Sequence, residues 1–331
     1  MSHADPVRPP VRLAFLGCGG VTASHSRTLR RFGDRVRCFY ASRDVTRAEE
    51  CNRRFGGAGA FGSYEAAFAS EDVDAVLVAT PPDSHLDLTM AALRASKHVI
   101  VEKPPFPRAA DADAVAAEAG RRRRQVLVAE NYYYKPVAEA LRRIIASGDL
   151  GEIRFIDVKA LKTQPTGDWR DEPARALGGA LYEGGIHWIN FMANLGLTPS
   201  RVEAFRPGNG AGLERSLLIA LQYAEGATGT LAFSWEIPSA AKGLRLSRIY
   251  GSLGSVAFES NGLFVAQFGR RRRLSFPGVR DLTGSRAMFD DFLSALALGR
   301  APRFTLAAAR RDLELIERAY ASAGITPPPT R

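Results

Sequence analysis

A buried strand, a glycine-rich turn and a helix follow one another in residues 11–29, VRLAFLGCGGVTASHSRTL. The apolar run Val11–Leu16 predicts the strand, and Val21–Phe32 predicts the helix. The turn between them reads Gly17-Cys18-Gly19-Gly20-Val21-Thr22. Glycines at such a turn let backbone N–H groups approach a pyrophosphate at the helix N-terminus. Thr22 is larger than the residue that usually ends this pattern, but the strand before the turn and the helix after it indicate a dinucleotide site.

The alternation of strands and helices continues to residue 129. Further apolar strands are predicted at Arg35–Ala41, Asp74–Ala79, Lys97–Val101 and Gln125–Ala129, and further helices at Val45–Phe55, Ser84–Ala95 and Ala109–Arg123. A strand–helix–strand series of this kind predicts a parallel sheet with helices on both faces. We expect it to form a dinucleotide-binding domain over residues 1–130.

The pattern changes after a predicted helix at Pro136–Ala146. Strand-like runs joined by turn residues follow at Glu152–Lys162, Ser216–Tyr223, Thr228–Trp235, Leu244–Tyr250, Ser255–Glu259 and Leu263–Phe268. These runs predict an antiparallel sheet, and two helices at Arg286–Leu298 and Leu306–Ala323 come last. We therefore expect an α/β fold whose second domain, residues 131–331, contains an open, mostly antiparallel sheet.

Length and composition indicate a globular protein. The 331 residues, 46% of them hydrophobic, suffice for two domains with buried cores. No apolar run approaches the roughly 18 to 20 residues of a membrane span, and the N-terminus lacks the apolar segment of a signal peptide. We expect a cytoplasmic protein with no membrane partner. Cys18, Cys38 and Cys51 have no metal-type spacing, so neither a metal site nor a disulfide is expected.

The formal net charge of +10 raises the question of a nucleic-acid partner. The arginine tracts 121–124 and 270–273 are not interleaved with aromatic residues that would stack on bases, so we interpret them as solvated surface and expect no nucleic acid. The charge remains compatible with a small anionic ligand. Only six of the 45 basic residues are lysines, and Lys103 is one of them. An amine is able to lose its proton during a reaction, whereas a guanidinium is not.

The residue that selects the cofactor is expected at the end of the second strand. An NAD-binding enzyme places a carboxylate there for the ribose hydroxyls, but this chain has Ser42, with Arg43 and Arg47 close by. A hydroxyl and two guanidinium groups suit the 2′-phosphate of NADP better than a diol. We therefore expect NADP as the cofactor, with NAD as the alternative if both arginines are merely solvated.

Two more segments lie where ligands bind in an open α/β sheet, beyond the carboxyl ends of the strands. They are ATPPDSH, residues 79–85, and Glu102-Lys103-Pro104. The cofactor contacts predicted here are Thr80, Pro81, His85, Glu102 and Lys103. Two of them have a structural alternative, because Glu102 would also serve to anchor the loop and His85 to form a hydrogen bond at the start of a helix.

Five segments together resemble one family of enzymes. They are GCGGVTASHSRTL, VATPPDSH, VEKP, GGALYEGGIHWIN and YGSLGSVAFE, and they extend over nearly the whole chain. The family is that of the Gfo/Idh/MocA oxidoreductases, named for glucose-fructose oxidoreductase and inositol dehydrogenase. The resemblance implies a Rossmann domain with a nicotinamide over the Thr80 loop. It also implies a second domain for substrate binding and oligomerisation, and hence a homodimer or homotetramer.

The resemblance further implies the catalytic residues. The family uses the lysine of an EKP motif with the aspartate and histidine of a DxxxH motif, and the matching positions are Lys103, Glu183 and His187. Glu183 departs from the family pattern, and so does Asn190, where another aspartate is common. Glutamate keeps the charge but moves the carboxylate by one methylene group, which matters at hydrogen-bond distance.

Residues of the second domain are candidates for the substrate site. Oxidising an alcohol requires a base and reducing a carbonyl requires an acid, and Lys103 or His187 would supply either. Polyol recognition combines aromatic faces with a few polar groups. The candidates of this type are Tyr133, Tyr134, Trp169, Arg170 and Asn190. Core packing explains the tyrosines equally well.

Three functions are compatible with these motifs. The first is an NAD(P)-dependent dehydrogenase or reductase of a sugar, a cyclitol or a related hydroxyl or carbonyl compound. The second is a redox-neutral enzyme that reduces and reoxidises a held nicotinamide within one turnover, as some glycosidases resembling this family do. The third is a cofactor-binding sensor without catalysis, which the departures at Glu183 and Asn190 would allow. The joint presence of Lys103 and His187 argues against the third.

Overall fold

The computed structural model describes residues 4–167, 169–208, 212–239, 244–279 and 281–326, without the side chains of Trp169, Pro173 and Ala174. The chain divides into two compact units. One comprises Met1–Glu130 and Ser285–Arg310, and the other comprises Asn131–Gly284 and Arg311–Arg331. Within the described ranges, no helix has both the length and the apolar character that spanning a membrane requires.

The first unit is built around a six-stranded sheet. Its elements up to residue 130 are β1 (Val11–Leu16), α1 (Gly20–Leu29), β2 (Val36–Ala41), α2 (Val45–Phe55), β3 (Gly59–Phe61), α3 (Tyr64–Ala69), β4 (Ala75–Val78), α4 (His85–Arg94), β5 (His98–Val101), α5 (Ala109–Arg122) and β6 (Val126–Val128). The strand order is β3-β2-β1-β4-β5-β6, and every pairing is parallel. The predicted parallel sheet is therefore confirmed.

Burial and strand order in this sheet follow from its connections. Strands β4 and β5 are buried along their whole length, as expected for parallel strands with helices on both faces. The order reverses at β1, so the loops that follow β1 and β4 flank the crevice where such sheets bind ligands. The sequence analysis missed β3 and α3, because three and six residues are too few for a periodic pattern.

The second unit contains an eight-stranded sheet. The remaining elements of the chain are α6 (Pro136–Ala146), β7 (Ile153–Leu161), α7 (Pro173–Ala176), α8 (Ile186–Ala193), β8 (Pro199–Phe205), β9 (Ser216–Tyr223), β10 (Thr228–Ser234), β11 (Leu246–Gly251), β12 (Gly254–Glu259), β13 (Val265–Gly269), β14 (Arg273–Ser275), α9 (Ser285–Leu298) and α10 (Leu306–Ser322). The strand order is β14-β13-β12-β11-β7-β10-β9-β8, so the sheet is open. This confirms the predicted α/β fold with a second, open sheet.

One pairing in this sheet differs from the predicted hairpin pattern. The pairs from β11 to β14 and from β8 to β10 are antiparallel, but β10 lies parallel to β7. The long connection between β7 and β10 holds α7, α8, β8 and β9. Parallel neighbours need a connection of this kind because a short turn reverses the chain direction.

The two faces of the second sheet differ in exposure. Along β7, Ile156 and Val158 are buried, whereas Phe155 on the opposite face is 62% exposed. Other exposed large apolar side chains on its strands are Phe205, Leu218, Leu246, Tyr250, Phe268 and Leu274. Alternation along a strand sends successive side chains to opposite faces. One face is therefore core, and the other presents apolar side chains to solvent in a single chain.

Helix α9 belongs with the first unit, although the sequence analysis placed all residues after 130 in the second domain. It packs against β1 and α1. The Arg35 guanidinium lies 2.6 Å from the Asp290 carboxylate, and Phe289 contacts His25 edge-on. Contacts between residues so far apart along the chain leave no local pattern in the sequence.

Candidate active site

The glycine turn adopts the conformation that a pyrophosphate site requires. Gly17 has φ of 104°, and a Cβ there would meet the carbonyl oxygen of Ala79 at 3.2 Å. A Cβ on Gly19 or Gly20 would meet no heavy atom of the described residues within 4 Å, so the space beside the turn is open. Helix α1 begins at Gly20 with no acidic residue in its first turn. Its positive N-terminus therefore suits an anionic ligand.

Thr22 closes this turn instead of facing a ligand. Its side chain is fully buried, and its Oγ1 donates a hydrogen bond to the carbonyl oxygen of Gly17 at 2.7 Å. Val21, in contrast, is 43% exposed at the start of α1. The larger third residue of the pattern thus has a structural explanation, and the predicted contact of Thr22 with the cofactor is not compatible with its burial.

The end of β2 combines a hydroxyl with two exposed arginines. The Ser42 Oγ accepts a hydrogen bond from the Asp44 backbone N–H at 3.2 Å. Burial raises the pKa of the Tyr64 hydroxyl, and the charges of Arg43 and Arg47 both oppose that shift. The two guanidinium groups therefore act electrostatically on the same hydroxyl. Asp44 accepts a hydrogen bond from the Thr46 N–H, so its carboxylate caps α2.

Cys18, inside the glycine turn, behaves as a space-filling thiol. Burial raises its pKa to about 12, and the neighbouring Cys51 thiol adds to the shift. The charge of Arg47 opposes the shift. The thiolate, the nucleophilic form of cysteine, is therefore disfavoured here.

His85 lies between the loops that follow β4 and β5 and contacts a backbone carbonyl group of each. It is 1% exposed, with Nδ1 2.8 Å from the Pro104 carbonyl oxygen and Nε2 2.8 Å from the Thr80 carbonyl oxygen. Burial lowers its pKa, although the two carbonyl groups oppose that shift. A neutral imidazole donates to only one of them at a time. The structure thus supports the hydrogen-bonding alternative for His85, because its burial leaves no surface for the cofactor. Thr80 and Pro81 remain partly exposed.

Lys103 follows β5 and is held through its neighbour Glu102. The Glu102 carboxylate is 8% exposed, contacts His25 Nε2, and accepts a hydrogen bond from the Lys103 backbone N–H at 3.2 Å. Burial alone would raise the pKa of Glu102, but the contact with His25 and the charges of Lys103 and His85 together outweigh burial, and the pKa is lowered. Glu102 is therefore an ionised anchor for the loop that carries Lys103. The sequence analysis did not select His25, although it lies in the segment GCGGVTASHSRTL.

Glu183 lies on a π-helical turn, Leu181–Gly185, directly before α8. Its side chain is 10% exposed, and the Arg170 Nε donates a hydrogen bond to its Oε1 at 3.3 Å. Two of the predicted site residues are thus brought together. A Cβ on Gly184 would lie 2.5 Å from the Trp235 ring, so only glycine fits at this point of the turn.

His187 forms part of an aromatic cluster in the second unit. The Tyr132 ring stacks on it with 4.3 Å between ring centroids and 12° between planes, and Trp188 meets Tyr132 edge-on. The Lys135 Nζ lies 4.0 Å from the Tyr132 centroid. A stacked ring and an ammonium cannot share one face, so Tyr132 lies between His187 and Lys135. The sequence analysis did not select Tyr132, and no spacing rule distinguishes it from Tyr133.

Other residues predicted to bind the substrate are buried or make contacts within the protein. Tyr134 is 1% exposed and Asn190 is 0% exposed, so neither lines an open site. The Asn190 Nδ2 donates to the Asp312 carboxylate at 2.6 Å. The Tyr133 ring is covered by the Arg142 guanidinium, 4.6 Å from its centroid. The side chain of Trp169 lies outside the described residues.

Comparisons with known proteins follow the same division of the chain. Residues 11–130 match the family described as "Oxidoreductase family, NAD-binding Rossmann fold", and residues 138–257 match the GFO/IDH/MocA C-terminal domain. The chain therefore belongs to the Gfo/Idh/MocA oxidoreductase family, and the resemblance drawn from its motifs is confirmed.

Particular relatives have names that describe redox enzymes. The trans-1,2-dihydrobenzene-1,2-diol dehydrogenase of Bos taurus is 30% identical over 196 residues, which cover 59% of this chain and 58% of that protein. The dTDP-3,4-didehydro-2,6-dideoxy-alpha-D-glucose 3-reductase of Saccharopolyspora spinosa is 33% identical over 187 residues, which cover 55% and 54%. These matches span less than two thirds of the relatives' length.

Solved structures share the fold over almost the whole chain. A levoglucosan dehydrogenase in complex with NADH has a TM-score of 0.85 at 21% identity, with 95% of this chain and 97% of that chain covered. The aldose-aldose oxidoreductase of Caulobacter crescentus, complexed with glycerol, has a TM-score of 0.85 at 22% identity with the same coverage. At these identities the likeness concerns the fold.

Proposed function

We propose that this protein is a dehydrogenase or reductase that transfers a hydride between NADP and a carbon bearing a hydroxyl or carbonyl group in a sugar, cyclitol or related compound. The observation that carries the proposal is the set of residues at the carboxyl ends of the parallel strands of the first sheet. The open glycine turn, the Thr80 loop and Lys103 all follow such strands. Family membership and the names of the relatives support the same class of reaction.

The residues at these strand ends fit a nicotinamide dinucleotide. The space beside Gly19 and Gly20 and the N-terminus of α1 would receive the pyrophosphate. Ser42, Arg43 and Arg47 would bind the 2′-phosphate, and Asp44, the acidic residue of this segment, uses its Oδ1 to cap α2. The cofactor, when bound, accepts or supplies the hydride.

Protein side chains must move the proton that accompanies the hydride. In this proposal Lys103 donates or accepts that proton at its Nζ, and His187 shares the task. Glu183 would orient the imidazole or a substrate hydroxyl, and its contact with Arg170 holds the carboxylate in place. Tyr133 and Arg170 are the predicted wall residues that remain partly exposed and able to meet a substrate.

A direct test is a spectrophotometric screen of the purified protein. Sugars and cyclitols would be offered with NADP⁺, and the matching carbonyl compounds with NADPH, each alongside the NAD forms. We expect substrate-dependent formation or loss of reduced nicotinamide, with faster turnover for the NADP forms. Product formation without any net change in nicotinamide would instead support the redox-neutral enzyme, and cofactor binding without turnover of any compound would support the sensor.

A further inference from the structure

Two cationic side chains are buried around the aromatic cluster that contains His187. Arg245 is 9% exposed and Lys135 is 4% exposed. The Arg245 guanidinium lies 5.8 Å from the centroid of the Trp188 ring, and the Lys135 ammonium lies over the Tyr132 ring. Burying a cation is costly unless a counter-charge or several acceptors compensate. Lys135 Nζ donates to the Asn261 carbonyl oxygen at 3.4 Å, so Arg245 is the buried cation beside the predicted catalytic histidine that calls for a reason.

The Arg245 side chain has more hydrogen-bond donors than acceptors around it. Its Nε donates to the Leu161 carbonyl oxygen at 3.1 Å, and within the described part of the chain this is the only acceptor its side chain meets. A guanidinium carries five N–H donors. Burial lowers the pKa of Arg245, and electrostatic interactions with Tyr132 and Glu259 oppose that shift. The Glu259 carboxylate is occupied by the backbone N–H groups of residues 261–263.

A second unused donor lies at the same end of the sheet. Trp235 follows the last residue of β10, and its Nε1 is buried without an acceptor among the described residues. Arg245 precedes β11, which runs antiparallel to β7, so Arg245 also lies at the carboxyl end of β7. Trp235 packs on Gly184, next to Glu183, and Arg245 packs near Trp188, next to His187. Both donors thus border the segment that carries the predicted acid/base residues.

We propose that this end of the second sheet binds an anionic group of the substrate, a carboxylate or a phosphate, with Arg245 as the principal ligand and Trp235 and Lys135 in support. The substrate would then be an acidic sugar or a sugar phosphate instead of a neutral polyol. Arginine suits this role because its planar fork donates two parallel hydrogen bonds to a carboxylate or a phosphate. The inference rests on the proposed function, since it places His187 beside the substrate.

Equilibrium binding tests the inference without requiring turnover. The enzyme saturated with NADP⁺ would be titrated in a calorimeter with D-glucuronate, D-gluconate and glucose 6-phosphate, and with D-glucose and myo-inositol as neutral references. Charge-assisted hydrogen bonds lead us to expect at least one acidic probe to bind about 10- to 100-fold more tightly than D-glucose. The carboxylate and phosphate probes distinguish the two sources of negative charge.

Variants at Arg245 test whether this residue causes the preference for acidic probes. Arg245→Gln should lose it, whereas Arg318→Gln, which changes an exposed arginine of the same unit, should keep it. Arg245→Lys keeps the positive charge but lacks the planar guanidinium, so it should retain part of the preference. This variant tests the inference if Arg245→Gln does not fold. The inference is overturned if no acidic probe binds more tightly than D-glucose, or if the preference survives in Arg245→Gln.

The same titrations separate this inference from the proposed function. Turnover of neutral sugars without any preference for acidic probes would leave the proposed function standing and reject the anion site. Tight, Arg245-dependent binding of an acidic probe, together with no hydride transfer between NADP and any compound of the screen, would establish the anion site and reject the proposed function.

Discussion

Two residues that depart from the family pattern each have a partner suited to the residue present. The Asn190 amide donates a hydrogen bond to the buried Asp312, where an aspartate would place two carboxylates in contact. Glu183 reaches Arg170, and the additional methylene group of glutamate determines where its carboxylate lies relative to that guanidinium. The departures are therefore accommodated within the second unit and do not by themselves indicate a loss of catalysis.

Cofactor preference is a residue-scale property of Ser42 and its neighbours. We expect NADP(H) to bind at least about tenfold more tightly than NAD(H), because charge-assisted hydrogen bonds contribute about 1.5–3 kcal/mol. Ser42→Asp should reverse the order, since its carboxylate would repel the 2′-phosphate and accept the ribose hydroxyls. Fluorescence titration of both reduced cofactors measures this, with Ser70→Asp at the end of α3 that leads into β4 as the control. Equal affinities in the unaltered protein would contradict the prediction.

Lys103 is predicted to act through its proton and not only through its charge. Lys103→Arg keeps the positive charge but cannot titrate at working pH, and Lys103→Met removes both. Both variants should lose about 100-fold or more in kcat, with little change in cofactor affinity. Lys97→Arg, a lysine before β5 that is bound to backbone carbonyl groups, is the control.

Substitutions of His187 and Glu183 test the other two predicted catalytic residues. His187→Asn should cause a loss comparable to that of Lys103→Met if the two residues share the proton transfer, and Glu183→Gln a smaller one. Near-normal kcat in Lys103→Arg on a verified substrate would remove Lys103 from the proton transfer and leave His187 as the acid/base.

At the scale of elements, the π-helical turn before α8 depends on a buried cluster. The Tyr320 hydroxyl accepts hydrogen bonds from the backbone N–H groups of Gly179 and Tyr182 and donates to Glu214 at 2.8 Å. Glu214 also accepts from the Leu181 N–H at 2.8 Å. A Cβ on Gly179 would lie 1.7 Å from the Glu214 carboxylate, so the glycine permits this contact. The turn that carries Glu183 is therefore held by Glu214, which precedes β9, and by Tyr320 of α10.

The titration of Glu214 should make stability depend on pH. Burial raises its pKa above the ordinary value of 4.5, so the folded chain holds this proton more tightly than the unfolded chain does. The stabilising effect is complete below the ordinary value and is lost as pH rises through the raised value. Glu214→Gln cannot titrate, and its amide oxygen would still accept from Leu181 and Tyr320.

Thermal unfolding over a pH series measures this effect. Between about pH 4.5 and neutrality, Tm of the unaltered protein should fall relative to that of Glu214→Gln. Glu203→Gln, a partly exposed position on β8, should follow the unaltered protein. Parallel Tm curves for Glu214→Gln and the unaltered protein would show that Glu214 does not titrate differently on folding.

At the scale of the whole molecule, the exposed face of the second sheet predicts self-association. Phe155 and Leu274 are 62% and 60% exposed, and Leu218, Tyr250 and Phe268 lie on the same face. Soluble monomers rarely expose a contiguous apolar patch larger than a few hundred Å². We expect a homodimer or homotetramer that covers this face.

Sedimentation at micromolar concentration tests the association. Phe155→Lys, in the middle of the sheet, should shift the protein toward monomer, whereas Leu298→Lys, an exposed apolar position at the end of α9, should not. An unaltered protein that sediments only as a monomer would contradict the prediction.

Much of the fold was predictable because local patterns encode it. The strand Val11–Leu16, the helix Val45–Phe55, the helix Pro136–Ala146 and the strand Ser216–Tyr223 have the predicted bounds. The glycine turn and Lys103 follow parallel strands as expected. Hydrophobic periodicity and turn residues determine these features within about ten residues of chain.

Tertiary structure alone decided which distant residues meet. The contact of His25 with Glu102 joins residues 77 positions apart, the parallel pairing of β7 with β10 depends on a long connection, and α9 packs against β1 and α1. Arg245 is one of many arginines in the sequence, and only folding buries it beside Trp188. Such pairings are determined by packing over the whole chain, because burial and the counter-charge of a side chain depend on residues that no local sequence pattern specifies.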